Sequence, residues 1–193
     1  MKSFTFVMAV VVASLIAKQN SAQAALIGAT RIRITQNSNE FLSIAELLAL
    51  NGGLLNSAAS SNGGVASQSS TGFGGVASRA NDGNTNGVFG GNSVSHTNVA
   101  AAGQFWEVVL GSASDLESVF VFGRSDCCQN RDNNLTLQIF NASNAVIFQQ
   151  NFGLSPDSGQ GTFNVSFIPE PATLSMLALA GLGILGGRRG RAA

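Results

Sequence analysis

The chain has 193 residues, enough for one domain with accessory segments, and only 10% of them are charged. Glycine occurs 23 times and tyrosine is absent, which indicates a turn-rich β protein and not a helical cytosolic enzyme. The formal net charge is +0, but residues 26–168 hold nine acids and five arginines, and this acidic middle argues against nucleic acid as the partner. The two cysteines are adjacent, which excludes a disulfide scaffold.

Residues 1–25 have the features of a secretory signal peptide. Lys2 supplies a positive start, residues 4–17 form an apolar run too short to span a bilayer comfortably, and residues 22–24 read Ala-Gln-Ala, a cleavage signal. The alternative is a buried N-terminal helix. Export would place the rest of the chain in an oxidising compartment, where a disulfide persists.

Alternating apolar and polar residues predict β-strands along the middle of the chain. Residues 31–34 alternate first, and Trp106, Val108 and Leu110 share one face of a later run. Residues 41–50 are rich in Ala, Glu and Leu, so propensity alone also allows a helix there. Residues 51–63 form a Gly/Ser/Asn connector. About eight short strands with turns between them predict an all-β fold, an antiparallel β-sandwich or jelly-roll.

One segment concentrates hydrogen-bond donors. Arg124 and Arg131 enclose the adjacent pair Cys127 and Cys128, and His96 lies upstream. Arginine offers five rigid donors, so two of them beside an imidazole suit a ligand rich in oxygen. Adjacent cysteines, if oxidised, form a tight ring with a flat apolar face. Hydroxyl edges and one apolar C–H face are the properties of a sugar, which is the ligand that this pattern predicts.

The spacing R-x-D-x4-R around Cys-Cys, with Ser-His-Thr at residues 95–97, resembles the F-type lectins, or fucolectins. Residues 64–70, 77–87 and 105–111 are similar to further motifs of that family. F-type lectins are calcium-containing β-jelly-rolls of the galactose-binding, discoidin-like (F5/8 type C) superfold. The resemblance therefore implies the same fold for residues 26–168.

The resemblance also implies a carbohydrate site. In the family, the residues at three of these positions donate to fucose hydroxyls and the ring oxygen, the cysteine pair stacks on the sugar, and an aspartate orients an arginine. In this chain the corresponding residues are His96, Arg124, Arg131, Cys127, Cys128 and Asp126. The structural alternative is that the two arginines pair with Asp126 and Asp132 and only hold a loop.

A calcium site is implied by the same resemblance. Calcium takes six to eight oxygen ligands, from carboxylates, carbonyls and hydroxyls. The implied ligands are the carbonyls of Arg79, Asn84 and Ala45, the carboxylates of Asp82 and Glu46, and the hydroxyl or carbonyl of Ser93. Without the flanking matches, the Asp-Gly-Asn of this segment would indicate only a turn. The role expected for calcium is structural, because it would tie the loop before His96 to the first strands.

The order of the strands differs from that of the family. R-x-I-R-I followed by L-S-L-x-E-V-x-V is the usual C-terminal strand pair of these domains, and its counterpart here lies in residues 26–50. We therefore predict a circularly permuted jelly-roll. Permutation is tolerated where the termini of a domain lie close together.

Residues 169–193 resemble the PEP-CTERM sorting signal of Gram-negative bacteria. Pro-Glu-Pro at residues 169–171 precedes 14 small or apolar residues and a terminal arginine cluster. A helix of that length reaches about 21–24 Å, which is short for a transmembrane helix, so the resemblance implies transient inner-membrane anchoring and processing by the sorting machinery. The alternatives are a buried C-terminal helix and a glycolipid anchor, although an anchor signal would end in apolar residues.

Together these features predict an exported, non-enzymatic lectin. Its ligand would be fucose or a related glycan, with the cell's own exopolysaccharide as one candidate, and its destination the cell surface or extracellular matrix. A single histidine and the lack of a recognisable carboxylate pair give enzyme activity little support. One rival is a structural matrix protein on the same fold that binds no sugar. The other is a carbohydrate-active enzyme that has lost its catalytic module.

Overall fold

The structure is a computed structural model that describes residues 25–154 and 159–167. These residues contain eight strands: β1 (Leu26–Gln36), β2 (Ser43–Asn51), β3 (Val65–Gln68), β4 (Ser95–His96), β5 (Phe105–Gly123), β6 (Leu135–Asn141), β7 (Val146–Phe152) and β8 (Thr162–Ser166). Four 3₁₀ turns lie between them: Ser60–Asn62, Ala77–Ala80, Phe89–Gly91 and Gln129–Asp132. All strand pairs are antiparallel, so the predicted all-β fold is confirmed.

The predicted signal helix and the predicted C-terminal apolar helix lie outside the described residues. Within the described ranges, no helix has the length and apolar character needed to cross a membrane.

Strand β5 links the two layers of the sandwich. Its first half, residues 105–109, pairs with β1 and β3, and its second half, residues 116–123, pairs with β2 and β8. Strand β1 also pairs with Ser114 and Leu116 in the middle of β5. Between the pairs Ala29–Ser114 and Arg31–Val109, a step of two residues in β1 faces a step of five in β5. Such a bulge bends a strand, and β5 therefore belongs to both layers. One layer holds β3, β5, β1, β6 and β7, and the other holds β4, β2, β5 and β8. Pairing continues through Ser114, so residues 105–123 form one strand.

The core lies between the two layers. Trp106, Val108 and Leu110 of β5 are buried while Glu107 and Val109 point outward, which confirms the predicted faces. The indole Nε1 of Trp106 donates a hydrogen bond to the Ala77 carbonyl at 2.9 Å. The largest ring in the core thus has its polar atom satisfied, as a buried tryptophan requires.

Residues 43–51 form a strand and not a helix. Strand β2 pairs with β5 along its length and with β4 at its start, and its first five residues are all buried. A segment buried on both faces within a sheet overrides its helix propensity. The register places Ser43 opposite His96, which fixes one side of the site described below. Circular permutation of the domain stays a prediction.

The connector 51–63 folds back on the sandwich instead of spanning open solvent. The Asn56 Oδ1 accepts hydrogen bonds from the Ala49 and Ala58 amides at 2.9 and 3.1 Å. The Ser60 amide also donates to the Asn81 carbonyl at 2.8 Å. The connector therefore has fixed positions against β2 and against the turn Ala77–Ala80.

Candidate functional site

Three polar groups predicted from the sequence surround a group of aromatic rings at one end of the sandwich. The His96 ring lies 5.1 Å from the Phe41 ring and 5.7 Å from the Phe89 ring, measured between centroids. The Arg124 guanidinium lies 4.7 Å from the Phe89 centroid, and the Arg131 guanidinium 5.3 Å from the Phe41 centroid. Folding thus brings the imidazole of His96 together with two guanidiniums from a later segment of the chain. We call these five residues, with Phe73, the His96 cluster.

His96 is held as a neutral hydrogen-bond acceptor. Its Nδ1 lies 2.6 Å from the Thr97 carbonyl, which can only accept, so Nδ1 carries the proton and donates. Burial lowers the pKa of His96, and the positive charges of Arg124 and Arg131 lower it further, against the Thr97 carbonyl, which raises it. Among the described residues, Nε2 has no hydrogen-bond partner. Its lone pair is therefore available to accept a hydrogen bond from a ligand.

A glycine turn brackets His96 and presents an aromatic ring beside it. The His96 amide donates to the Gly75 carbonyl at 2.9 Å, and a Cβ added to Gly75 would lie 2.7 Å from the His96 Cβ, so only glycine fits there. Within this turn Phe73 has a φ of +53° and is 73% exposed. Its ring centroid lies 5.1 Å from that of His96. A left-handed, exposed aromatic residue costs free energy, which makes Phe73 a candidate functional residue.

Arg124 follows the last residue of β5 and is fixed by Asp126. The Arg124 Nε and Nη2 donate to the two carboxylate oxygens of Asp126 at 2.6 and 3.2 Å. This hydrogen bonding from Arg124 lowers the pKa of Asp126. A bidentate pair sets the guanidinium plane and leaves its other N–H groups as donors. The Ser125 amide also donates to the Gly87 carbonyl at 2.8 Å, which ties this loop to the segment predicted to bind calcium.

Arg131 and Asp132 are adjacent in sequence but differ in their surroundings. The Arg131 Nε lies 3.8 Å from the Glu40 carboxylate, so its donors are only weakly engaged. Asp132 is buried and accepts a hydrogen bond from the Ser43 amide at 3.2 Å. Burial raises the pKa of Asp132 to about 8, although the Ser43 amide and the charges of Arg131 and Arg124 oppose that rise. Asp132 therefore joins the Arg131 turn to the strand that pairs with His96.

The two cysteines lie in the loop between the arginines. Their sulfur atoms are in direct contact, and Cys128 has a φ of +62°. The Arg131 amide donates to the Cys128 carbonyl at 3.1 Å, so the pair also supports the turn that carries Arg131. Oxidation of Cys127 and Cys128 to a disulfide stays a prediction.

Two of the predicted calcium ligands are neighbours. Glu46 is fully buried, and neither of its carboxylate oxygens has a hydrogen-bond partner among the described residues. Burial raises the pKa of Glu46 to about 7, the negative charge of Asp82 adds to that rise, and the nearby Gly83 and Asp82 amides oppose it. A buried carboxylate facing a second acid, with no donor in hydrogen-bonding geometry, fits a site for a cation.

The remaining predicted ligands lie on the segment around Asp82. The Asp82 carboxylate accepts from the Asn84 amide at 2.8 Å, and the Ser93 hydroxyl donates to the Val88 carbonyl at 3.0 Å. The Arg79 guanidinium is bound to Asn92 at 2.8 Å, so only its backbone is left for a ligand. Ala45 is buried beside Glu46 in β2. Within the described residues, no three His, Cys, Asp or Glu side chains lie close enough together to hold a metal ion, so carbonyl and hydroxyl oxygens would have to complete the coordination.

The aromatic part of the His96 cluster and one buried side-chain amide were not predicted from the sequence. Phe41, Phe73 and Phe89 come from three separate loops. Gln36 is fully buried, and its Nε2 donates to the carbonyls of Arg131 and Phe41 at 2.9 and 3.2 Å. The one available signal was Phe73 between glycines in a polar segment, since an apolar ring in a loop often serves binding.

Comparison with known families gives two matches. Residues 79–172, a little under half of the chain, match the family model described as a NedA-like, galactose-binding domain of the F5/8 type C group. This part is similar to galactose-binding domains. It covers β4 to β8 but not β1 to β3, so it does not test circular permutation. Residues 167–192 match the PEP-CTERM protein-sorting motif, which indicates export and sorting through a C-terminal signal. The chain has no significant match among curated proteins or solved structures.

The burial of Asp132 leads to a prediction about stability and pH. Its folded pKa of about 8 exceeds its ordinary 3.8, so between these values the folded protein binds a proton that the unfolded chain lacks. The contribution of Asp132 to the free energy of unfolding is therefore complete below about pH 4 and is lost as pH rises toward 8. Between pH 5 and pH 8 we expect the melting temperature of Asp132→Asn, which cannot ionise, to fall less than that of the parent. The two falls should differ by about 3 °C or more.

The control for this prediction is Asp126→Asn, because Asp126 has a lowered pKa and should not reduce the loss. Thermal melts in the presence of a calcium chelator keep Glu46 from contributing through metal binding. Equal losses in the parent and in Asp132→Asn would contradict the prediction.

Proposed function

We propose that this protein is an exported, calcium-stabilised carbohydrate-binding protein whose ligand is a fucose-type glycan. The observation that carries the proposal is the His96 cluster, in which two guanidiniums and a neutral imidazole share one aromatic neighbourhood. The similarity of residues 79–172 to galactose-binding domains supports the coarser part of the proposal, which is carbohydrate binding.

The polar groups of the cluster match the hydroxyls of a sugar. His96 Nε2 accepts from one hydroxyl, while the free N–H groups of Arg124 and Arg131 donate to others and to the ring oxygen. The side chains of Arg124 and Arg131 are 14% and 29% exposed, so they are partly shielded yet still reachable by a ligand. Hydrogen bonds from charged donors are about twice as strong as neutral ones, which would give the arginines most of the polar binding energy.

The apolar groups favour a 6-deoxy sugar. Phe41, Phe73 and Phe89 surround His96, and the Cys127–Cys128 pair adds an apolar surface between the arginines. Fucose has a methyl group where L-galactose, its 6-hydroxy counterpart, has a hydroxymethyl group. Placing that extra hydroxyl against aromatic rings without a partner costs about 1–3 kcal/mol.

Calcium would hold the loop that supports the site. The ligands would be the carboxylates of Glu46 and Asp82, completed by the Ser93 hydroxyl or carbonyl and by the carbonyls of Ala45, Arg79 and Asn84. The buried, unpartnered oxygens of Glu46 support this assignment. Through the hydrogen bond between Gly87 and Ser125, order in this loop would extend to Arg124.

The C-terminal match supports a location. Processing of the PEP-CTERM motif by sorting machinery would release the domain from transient inner-membrane anchoring to the cell surface or matrix of a Gram-negative bacterium. There the cell's own exopolysaccharide is the nearest abundant glycan. No catalytic role is proposed.

The competing function is a structural matrix protein that binds no sugar. The observation that favours it is the bidentate pair between Arg124 and Asp126, which satisfies part of the guanidinium within the loop itself. Glycan binding with and without calcium separates the two functions, because only the lectin gains affinity from the metal.

We expect Arg131→Ala to weaken fucose binding at least tenfold, since the variant removes a charged donor worth about 1.5–3 kcal/mol. Isothermal titration with L-fucose and L-galactose measures the change, and the parent should prefer fucose. Arg31→Ala is the matched control, because Arg31 pairs with Glu107 on the outer face of the sandwich. Unchanged affinity in Arg131→Ala would remove this site from consideration.

Phe73 allows function to be separated from stability. Both Phe73→Ala and Phe73→Gly should weaken fucose binding several-fold, because each removes the exposed ring. Phe73→Gly should melt at a higher temperature than Phe73→Ala, because alanine keeps the strained φ of +53° and glycine does not. Two variants that bind fucose as well as the parent would show that the ring contributes nothing.

Calcium at 100 times its dissociation constant should stabilise the parent by about 2.7 kcal/mol, or roughly 5 °C or more in melting temperature. Glu46→Gln should lose this response, and Glu117→Gln should keep it. Because calcium binds the ionised carboxylate, its affinity should fall as pH drops below the Glu46 pKa of about 7. The calcium site would be contradicted by a parent protein whose melting temperature changes with neither calcium nor chelator.

A further inference from the structure

A cavity lies at the end of β2 that is away from the His96 cluster. It has a volume of about 410 Å³ and is formed by the connector after β2 and the bulged part of β5, residues 112–115. Strand β2 starts at Ser43, beside His96, and ends at Asn51, which lines this cavity. Nine residues of strand span about 26 Å, so the cavity is well separated from the His96 cluster. We call it the distal cavity.

Ser57 presents a hydroxyl to the distal cavity. The residue lines the cavity and is only 6% exposed, and its side chain makes no hydrogen bond to the described residues. Its amide donates to the Ala49 carbonyl at 2.8 Å, which fixes the residue in place. The hydroxyl is therefore open to the cavity and free to bind a ligand or water.

Two asparagines add directed polar groups. The Asn51 Oδ1 accepts from the Gly53 and Leu55 amides at 3.0 and 3.1 Å, so its Nδ2 remains a donor. The Asn62 Nδ2 donates to the Asn56 carbonyl at 2.8 Å, so its Oδ1 remains an acceptor. Both side chains are held by the loop and thus need little ordering on binding. The cavity offers neutral donors and acceptors side by side, which suits a polyol.

The rim combines strain with apolar surface. Leu54 has a φ of +59° and is 77% exposed, and its neighbour Leu55, which lines the cavity, is 50% exposed. A left-handed leucine is a rare conformation, and strained residues concentrate at functional sites. The bulge on the other wall is a feature also found beside binding sites. An apolar edge next to hydroxyl and amide groups matches the C–H face of a sugar ring.

Charge narrows the class of ligand. Asp115 is the one charged residue in the lining, and Glu117 Oε1 would lie 3.0 Å from a Cβ added to Gly52, so a second acid borders the cavity. No arginine, lysine or histidine lines it. Uronates would be repelled, while a neutral or amine-bearing sugar would not.

We propose that the distal cavity is a second saccharide site, selective for neutral or amine-bearing sugars. It does not depend on the His96 cluster, which is rich in arginine and sits at the opposite end of the same strand. With both sites working, one molecule bridges two glycan chains, and binding to a polymer exceeds binding to either sugar alone.

The full chain with Arg124→Ala and Arg131→Ala, which removes the first site, tests the proposal. It is screened against an array of neutral, amine-bearing and uronate oligosaccharides, and the glucosamine trimer is then titrated. Ala113→Trp is added to fill the exposed wall of the distal cavity, and Ala142→Trp in the β6–β7 turn is the matched control. Ser57→Ala removes only the Ser57 hydroxyl. Melting curves identify any variant that fails to fold. If the double arginine variant fails, Arg131→Ala alone replaces it.

We expect the arginine variant to retain binding to neutral or amine-bearing sugars and not to uronates. Ala113→Trp should weaken that binding at least tenfold, Ser57→Ala several-fold, and Ala142→Trp less than twofold. An arginine variant that binds no saccharide at millimolar concentration, or Ala113→Trp and Ala142→Trp variants of equal affinity, would overturn the second site. Loss of fucose binding in Arg131→Ala reports on the first site separately.

Discussion

The continuity of β5 is the constraint on which the rest of the structure depends. This one strand pairs with β1, β2, β3 and β8, so both layers are built against it. Trp106 in its first half fills the core, and Arg124 follows directly after its last residue. The bulge between the halves sets the angle between the layers and opens the wall of the distal cavity. Because β2 pairs with the second half of β5 and with His96, the core, the arginine loop and the histidine are positioned by one backbone path.

Asp132 and Glu46 are two buried carboxyl groups whose surroundings offset the free-energy cost of burial in different ways. Burying an ionised carboxylate is expensive, so it either takes up a proton or binds a positive charge. Asp132 has the Ser43 amide and the charges of Arg131 and Arg124 nearby, yet burial still raises its pKa to about 8. Glu46 faces a second acid, Asp82, and has only amides to oppose burial. Protonation therefore offsets the cost of burial for Asp132 as a structural link, whereas at Glu46 the proposed calcium ion would satisfy both acids at once.

Periodic alternation and local motifs account for the features of the fold and site that could be predicted from the sequence. Alternation in β5 predicted the buried face of Trp106, and the resemblance to F-type lectins implied that Arg124 and Arg131 lie near His96. The rings around His96 could not be predicted in the same way, because Phe41, Phe73 and Phe89 meet only through loop geometry, which leaves no periodic trace. Propensity also left residues 41–50 ambiguous between helix and strand, since burial on both faces of a sheet is a tertiary effect. Likewise, the continuous β5 depends on the pairing of Ser114 with Ala29, which local composition does not encode.

Backbone strain concentrates in loops at the two ends of β2. Among the described residues other than glycine and asparagine, positive φ angles occur at Leu54, Phe73 and Cys128. Phe73 belongs to the His96 cluster and Cys128 lies between its two arginines in sequence, whereas Leu54 is at the rim of the distal cavity. Strain of about 1–3 kcal/mol per residue persists only where the surroundings enforce it, and it is frequent at functional sites. At both proposed saccharide sites the strain would serve the same purpose, because it fixes an apolar side chain next to the polar groups that would bind the sugar.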